Sequence, residues 1–159
     1  MRQLWAPWRM DYIQADADEG CIFCEAPKKD PSEGLVLFNG SVSVVMLNKY
    51  PYNSGHLMVA PVRHVSKVEE LTPEEGFDNF RMLRHCVSVL QRELKPHGFN
   101  VGMNLGKAAG AGIDGHLHMH IVPRWNGDMN FMPVLSDVKV IPEHLKATFD
   151  KLAPHFKGL

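Results

Sequence analysis

Long apolar runs, a strong net charge and an even set of cysteines are all missing from this 159-residue sequence. No stretch approaches the roughly 20 apolar residues of a membrane-crossing helix, so a membrane role is not expected. The formal net charge is -1, which argues against a general grip on polymeric nucleic acid, since that needs a basic face. Three cysteines make a disulfide scaffold improbable and favour metal or packing roles in a reducing compartment. The opening Met1-Arg2-Gln3-Leu4-Trp5-Ala6-Pro7-Trp8 lacks the apolar core of a secretory signal. Together these absences predict a cytoplasmic protein. Internal repeats and low-complexity tracts are also absent, and no organic cofactor is expected.

What is present fits one domain over residues 1–159, with 45% hydrophobic and 22% charged residues in ordinary globular proportion. Residues 1–20 read as an arm carrying Trp5, Trp8 and Tyr12, aromatics expected to pack against something such as a second subunit. Leu35–Phe38 and Val42–Leu47 flank Asn39-Gly40, a hairpin signal. His56–Ala60 reads as a further strand. Thr72-Pro73-Glu74-Glu75 supplies an N-cap, a first-turn proline and a capping-box glutamate. Phe77, Phe80, Leu83, Val87, Leu90 and Leu94 then recur at helical spacing, and that face is expected to lie on a sheet. Pro96-His97-Gly98 ends the helix. Phe99–Leu105 and Leu117–Val122 read as strands around the small-residue loop Gly106–Gly115, and a last helix runs from beyond Pro142 through Leu152. The order predicts an α+β fold on an antiparallel sheet. Cys86, inside the long helix, reads as a small buried apolar residue.

The chemistry concentrates in His116-Leu117-His118-Met119-His120. Alternate residues of a strand share a face, so three imidazoles line one side at Cα spacings of roughly 7 Å, and apolar residues line the other. Two chemistries suit such a row. A neutral imidazole attacks phosphorus while its neighbours fix its tautomer, or the three histidines hold a catalytic zinc with an open water site. The preceding Gly106-Lys107-Ala108-Ala109-Gly110-Ala111-Gly112 has so little bulk that its N–H groups can approach a phosphate. Lys107 and Arg124 flank it with positive charge. This favours phosphate chemistry. The remaining histidines, His85, His97, His144 and His155, are assigned to solvent-facing positions.

His116-Leu117-His118-Met119-His120-Ile121-Val122-Pro123-Arg124 resembles the signature of the histidine triad (HIT) family. Val45-Met46-Leu47-Asn48-Lys49-Tyr50-Pro51 through Gly55-His56-Leu57-Met58-Val59-Ala60-Pro61 is similar to the family's nucleoside-binding segment. Leu4–Ile13 and Pro96–Gly106 are similar to its microbial branch of diadenosine tetraphosphate phosphorylases. The resemblance implies a HIT-like fold, with a long helix and a C-terminal helix on the sheet. It also implies a homodimer in which the sheet continues across the interface. It implies a nucleotide substrate, most simply an adenine nucleotide, handled by a nucleotidyl transferase or hydrolase of dinucleoside polyphosphates. His118 would attack the α-phosphorus to give a nucleotidyl-histidine, His120 would bond the phosphate oxygens, and His56 would stand as a fourth histidine beside the triad. Asn48 would meet the ribose, Asn104 a phosphate oxygen or the leaving group, and Gly110, Ala111 and Gly112 the phosphate through their backbone. Many members carry a serine or glutamine where this chain has Ala111-Gly112, so backbone N–H groups would replace that donor or the second-step acceptor would differ. By the same resemblance Cys21, Cys24, His64 and His116 would hold a structural zinc. A hydrolase releasing AMP, whether from a nucleoside phosphoramidate or from a dinucleotide, and a non-catalytic nucleotide-binding module are the alternatives.

Overall fold

The computed structural model describes residues 20–128 and 143–159; the arm with Trp5, Trp8 and Tyr12 lies outside them. Five strands, β1 (Val36–Asn39), β2 (Ser43–Leu47), β3 (Leu57–Pro61), β4 (Gly98–Gly102) and β5 (Met119–Arg124), form one sheet in the order β1-β2-β3-β5-β4. Every pairing is antiparallel, as the sequence pattern predicts. The hairpin at Asn39-Gly40 joins β1 to β2. A tight turn with Gly55 at φ +74° delivers His56 to the start of β3; a Cβ at Gly55 would stand 2.5 Å from Leu94 Cδ1.

Helix α1 (Pro73–Leu94) carries the full capping box at Thr72 and Glu75, with proline in its first turn. Helix α2 (Leu145–Leu152) is capped by His144, whose side chain accepts from Lys146 N–H. Both helices cover one sheet face. Their core joins Val45, Leu47, Leu57, Val59 and Ile121 to Met82, Cys86, Leu90, Phe149 and Leu152. Each such side chain contributes about 1.5–3 kcal/mol on burial. The opposite sheet face is covered by the segment from Cys21 to Gly34, whose Phe23 and Ala26 pack on Val36, Val44, Met46, Met58 and Ala60.

Several sequence expectations shift. The buried stripe of α1 runs through Glu75, Asn79, Met82, Cys86, Val89 and Leu90; of the expected face, Leu90 is buried and Leu83, Val87 and Leu94 pack against the core, while Phe77 and Phe80 are 75% and 58% exposed. The helix carries two apolar stripes, and the sheet takes the one whose polar members find partners. Asn79 accepts from Ser43 Oγ at 2.8 Å, and Glu75 meets Arg63. Strand β4 ends at Gly102 rather than Leu105. Strand β5 begins at Met119 rather than Leu117, because its ladder partner β3 supplies pairing only as far as Val59 opposite Met119. His97 and His144 are solvent-exposed as expected, whereas His85 and His155 are half-buried, and all four make hydrogen bonds. His85 bonds the His155 carbonyl at 2.9 Å, His97 Nδ1 accepts from Asn126 N–H at 2.8 Å, and His155 meets Arg92 at 2.6 Å.

Candidate active site and metal cluster

β5 and the extended residues before it bring the triad onto the face opposite α1, with Met58 of β3 directly across from His120. His118 and His120 line a cleft of about 490 Å³ together with Asn48, Asn104, Gly110 and Gly112. Ala111 is not part of that lining. Its N–H points to the Gly106 carbonyl at 3.4 Å, and the Gly110 N–H donates to Lys107 O at 2.9 Å. Two of the loop donors expected at a phosphate are thus used within the turn. Asn104 steadies the same loop through Nδ2 to Gly110 O at 3.4 Å. Asn48 Oδ1 accepts from Tyr50 N–H at 2.8 Å, which leaves Nδ2 as the atom offered to a ligand.

Neither flanking cation lines the cleft, although Lys107 stands by Asp114, which does. Arg124 holds Asp128 at 2.6 and 2.8 Å and Asn100 at 2.8 Å, and Lys107 sits 3.8 Å from Asp114. Ile22, Leu35 and Asp114, to which the sequence assigned no part in the site, line the cleft, as do Met46 and Tyr52 of the segment similar to the HIT family's nucleoside-binding stretch. Leu35 adopts φ +55°, an uncommon conformation for a non-glycine residue, and nothing local in the sequence announces it.

The hydrogen bonds fix the tautomers of His56, His116, His118 and His120. His118 Nδ1 lies 2.8 Å from the His116 carbonyl. A carbonyl only accepts, so Nδ1 bears the proton and the Nε2 lone pair is left for the cleft. Burial pushes the His118 pKa below its ordinary value, with the carbonyl bond opposing in part. The ring is therefore neutral near pH 7. His56, fully buried, accepts at Nδ1 from Tyr52 N–H at 3.0 Å, so its proton sits on Nε2, 2.9 Å from His120 Nδ1. His120 accepts there and must carry its own proton on Nε2, as a donor. Burial, helped by His118, pushes the His120 pKa down to about 4.

His116 stands on the same face but outside the cleft. Its Nε2 donates to Pro61 O at 2.9 Å, which turns the lone pair at Nδ1 toward Cys21 Sγ at 3.2 Å and Cys24 Sγ at 3.6 Å. His64 Nδ1 stands 3.4 Å from Cys24 Sγ. The four ligand atoms all lie within 4.8 Å of one another. Tetrahedral zinc with S and N ligands gives S···N edges of about 3.5 Å, so this donor set fits the ion in both chemistry and spacing. The three triad histidines do not gather around one metal position: His116 Nδ1 turns to the cysteines, and among the described residues the grouping with metal-ligand spacing is Cys21, Cys24, His64 and His116. Arg63, next to His64, is held by Glu75 through two 2.8 Å bonds, which ties the exit of β3 to the start of α1.

The family model described as the HIT domain matches residues 31–127. The chain belongs to the HIT domain family. It is 41% identical over 162 residues to an AP-4-A phosphorylase of Mycobacterium tuberculosis, spanning 96% of this chain and 83% of that protein. An adenosine 5'-monophosphoramidase of Schizosaccharomyces pombe is 28% identical, covering 86% of this chain and 98% of its own length. Among solved structures, a zinc-bound histidine triad protein of Mycobacterium smegmatis superposes with a TM-score of 0.68 over 86% of this chain and 93% of that one, at 22% identity. That likeness speaks for the fold, whose five-stranded antiparallel sheet and flanking helices are those of the family.

Proposed function

We propose that this protein is a nucleotidyl hydrolase or transferase acting on dinucleoside polyphosphates through a covalent nucleotidyl-histidine. The observation that carries the reading is the His118 tautomer: a buried, neutral ring with Nδ1–H held by a carbonyl and Nε2 offered to the cleft. Nε2 attacks the α-phosphorus, the N–P bond forms, and the P–O bond to the remaining polyphosphate breaks with the electron pair leaving on that oxygen. His120 donates from Nε2 to a phosphoryl oxygen as charge grows there. Water or inorganic phosphate then breaks the N–P bond and restores neutral His118. Asn48 serves the ribose and Asn104 the phosphate end. The similarity to an AP-4-A phosphorylase supports phosphate as acceptor and an adenine nucleotide as substrate.

Incubation with diadenosine tetraphosphate, with and without inorganic phosphate, tests this directly. ADP plus ATP requiring phosphate identifies phosphorolysis; AMP plus ATP without phosphate identifies hydrolysis. His118→Asn should abolish both turnover and the acid-labile adduct, and turnover by that variant sinks the reading. A second reading, cleavage of a nucleoside phosphoramidate to AMP, draws on the phosphoramidase relative and uses the same nucleophile; adenosine 5'-phosphoramidate as substrate distinguishes it.

Zinc on Cys21, Cys24, His64 and His116 is structural in this proposal. It would lock the Cys21–Gly34 segment over the sheet without touching substrate. The assembly is a homodimer. β4 ends the sheet and leaves its edge for a partner's β4; Val101 is 46% exposed there, and Phe77 and Phe80 of α1 are exposed as well. A groove of Leu83, Arg84, Val87, Ser88, Gln91 and Val101 continues that surface. Cys21, Cys24 and Cys86 form no disulfide, which suits a reducing cytoplasm.

A further inference from the structure

Phe23 occupies the middle of Cys21-Ile22-Phe23-Cys24, between two thiols of the metal cluster. It neither ligates nor lines the cleft, and it is 2% exposed. Its ring centroid lies 5.1 Å from that of His116 and 4.8 Å from that of His118. His118 meets His120 as well, edge to face at 4.8 Å and 77°. The ring torsion of a histidine is broad and has no sharp rotamer wells. A hydrogen bond at Nδ1 pins one ring atom but lets the plane rock about that bond. Aim matters here, because attack on phosphorus requires Nε2 near 3–3.5 Å and in line with the departing oxygen.

We propose that Phe23 is a positioning residue that clamps the His118 ring plane, and that the metal-bearing turn around it anchors the clamp. The proposal rests on the reading of His118 as nucleophile. It gives the C-x-x-C turn a part in the reaction rate: the turn fixes Phe23 against His116 and His118 at once. Its neighbour Ile22 is 37% exposed and lines the cleft, so two consecutive residues divide the work. Ile22 faces the substrate, and Phe23 faces the nucleophile.

The test compares Phe23→Leu, Phe23→Met, Ile22→Ala and His118→Asn in the full chain with diadenosine tetraphosphate. Single-turnover rate, KM, thermal midpoint and zinc content are read for each. Both Phe23 variants should lose roughly 10–100-fold in the rate of nucleotidyl transfer to His118. Their KM should stay within about twofold, with fold and zinc content retained. Ile22→Ala, at the substrate, should instead show its main effect as a raised KM. Phe23 variants that keep the wild-type rate while His118→Asn is inactive overturn the clamp and leave the nucleophile reading intact. Loss of rate in both Phe23 variants together with loss of the folded transition also overturns it, since Phe23 would then be a core residue only. Turnover by His118→Asn removes the nucleophile reading and this proposal with it.

Discussion

Replacing His56 isolates the tautomer relay. His56 donates from Nε2 to His120 Nδ1 at 2.9 Å and accepts at Nδ1 from Tyr52 N–H at 3.0 Å. His56→Ala deletes both bonds of this fully buried side chain, whose partners are part-buried at the cleft. Two polar groups lose their partner, each at about 1–3 kcal/mol, so the variant should unfold earlier. The catalytic effect has a separate origin. With its Nδ1 anchor gone, the His120 ring is free to turn as well as to change tautomer, and its Nε2–H bond to the phosphate is lost wherever that aim is lost. A bond to a charged group contributes about 1.5–3 kcal/mol, equivalent to roughly 10–100-fold in kcat. His56→Gln, which has an acceptor and a donor on one amide, should recover part of that loss. The assay is steady-state release of nucleotides from diadenosine tetraphosphate at a temperature where each variant is folded. A His56→Ala kcat within about twofold of wild type refutes the relay. So does a folded His56→Gln variant as impaired as His56→Ala.

Three further outcomes follow from the same geometry. Arg63 and Thr72 N–H hold the Glu75 pKa at about 2 against an ordinary 4.5; because the folded value is depressed, its stabilisation is present above pH 4.5 and disappears as pH falls toward 2. Glu75→Gln should therefore cost about 2 kcal/mol at pH 7, after discounting for the half-exposed Arg63, and almost nothing at pH 2; equal losses in urea unfolding at both pH values contradict this. Cys24→Ser should lose bound zinc by elemental analysis and melt more than about 5 °C lower, while a wild-type protein purified zinc-free with an unchanged melt on adding zinc contradicts the metal assignment. Phe80→Glu should raise the dimer dissociation constant more than about 100-fold, because a two-fold interface counts each lost burial of about 1.5 kcal/mol or more twice; an unchanged mass by light scattering contradicts the proposed interface.

The sequence by itself determined whatever depends on neighbours a few residues apart. Thr72 and Glu75 announce the start of α1, Asn39-Gly40 announces its hairpin, and the alternation of His116, His118 and His120 puts three imidazoles on one face. Its resemblance to the HIT family also pointed to His118 before any geometry was known. Tertiary structure decided what depends on distant partners. Cys21 meets His116 across 95 residues, and only the closed sheet brings them together. Which stripe of α1 is buried was undecided by periodicity, since Phe77 and Phe80 keep helical spacing as well as Met82 and Cys86 do. The sheet chose the stripe on which Asn79 and Glu75 find hydrogen-bond partners. The tautomers were decided last of all. A histidine sequence does not say which nitrogen holds the proton; the His116 carbonyl, the Pro61 carbonyl and the Tyr52 amide do, because a buried ring must match the donor or acceptor it faces.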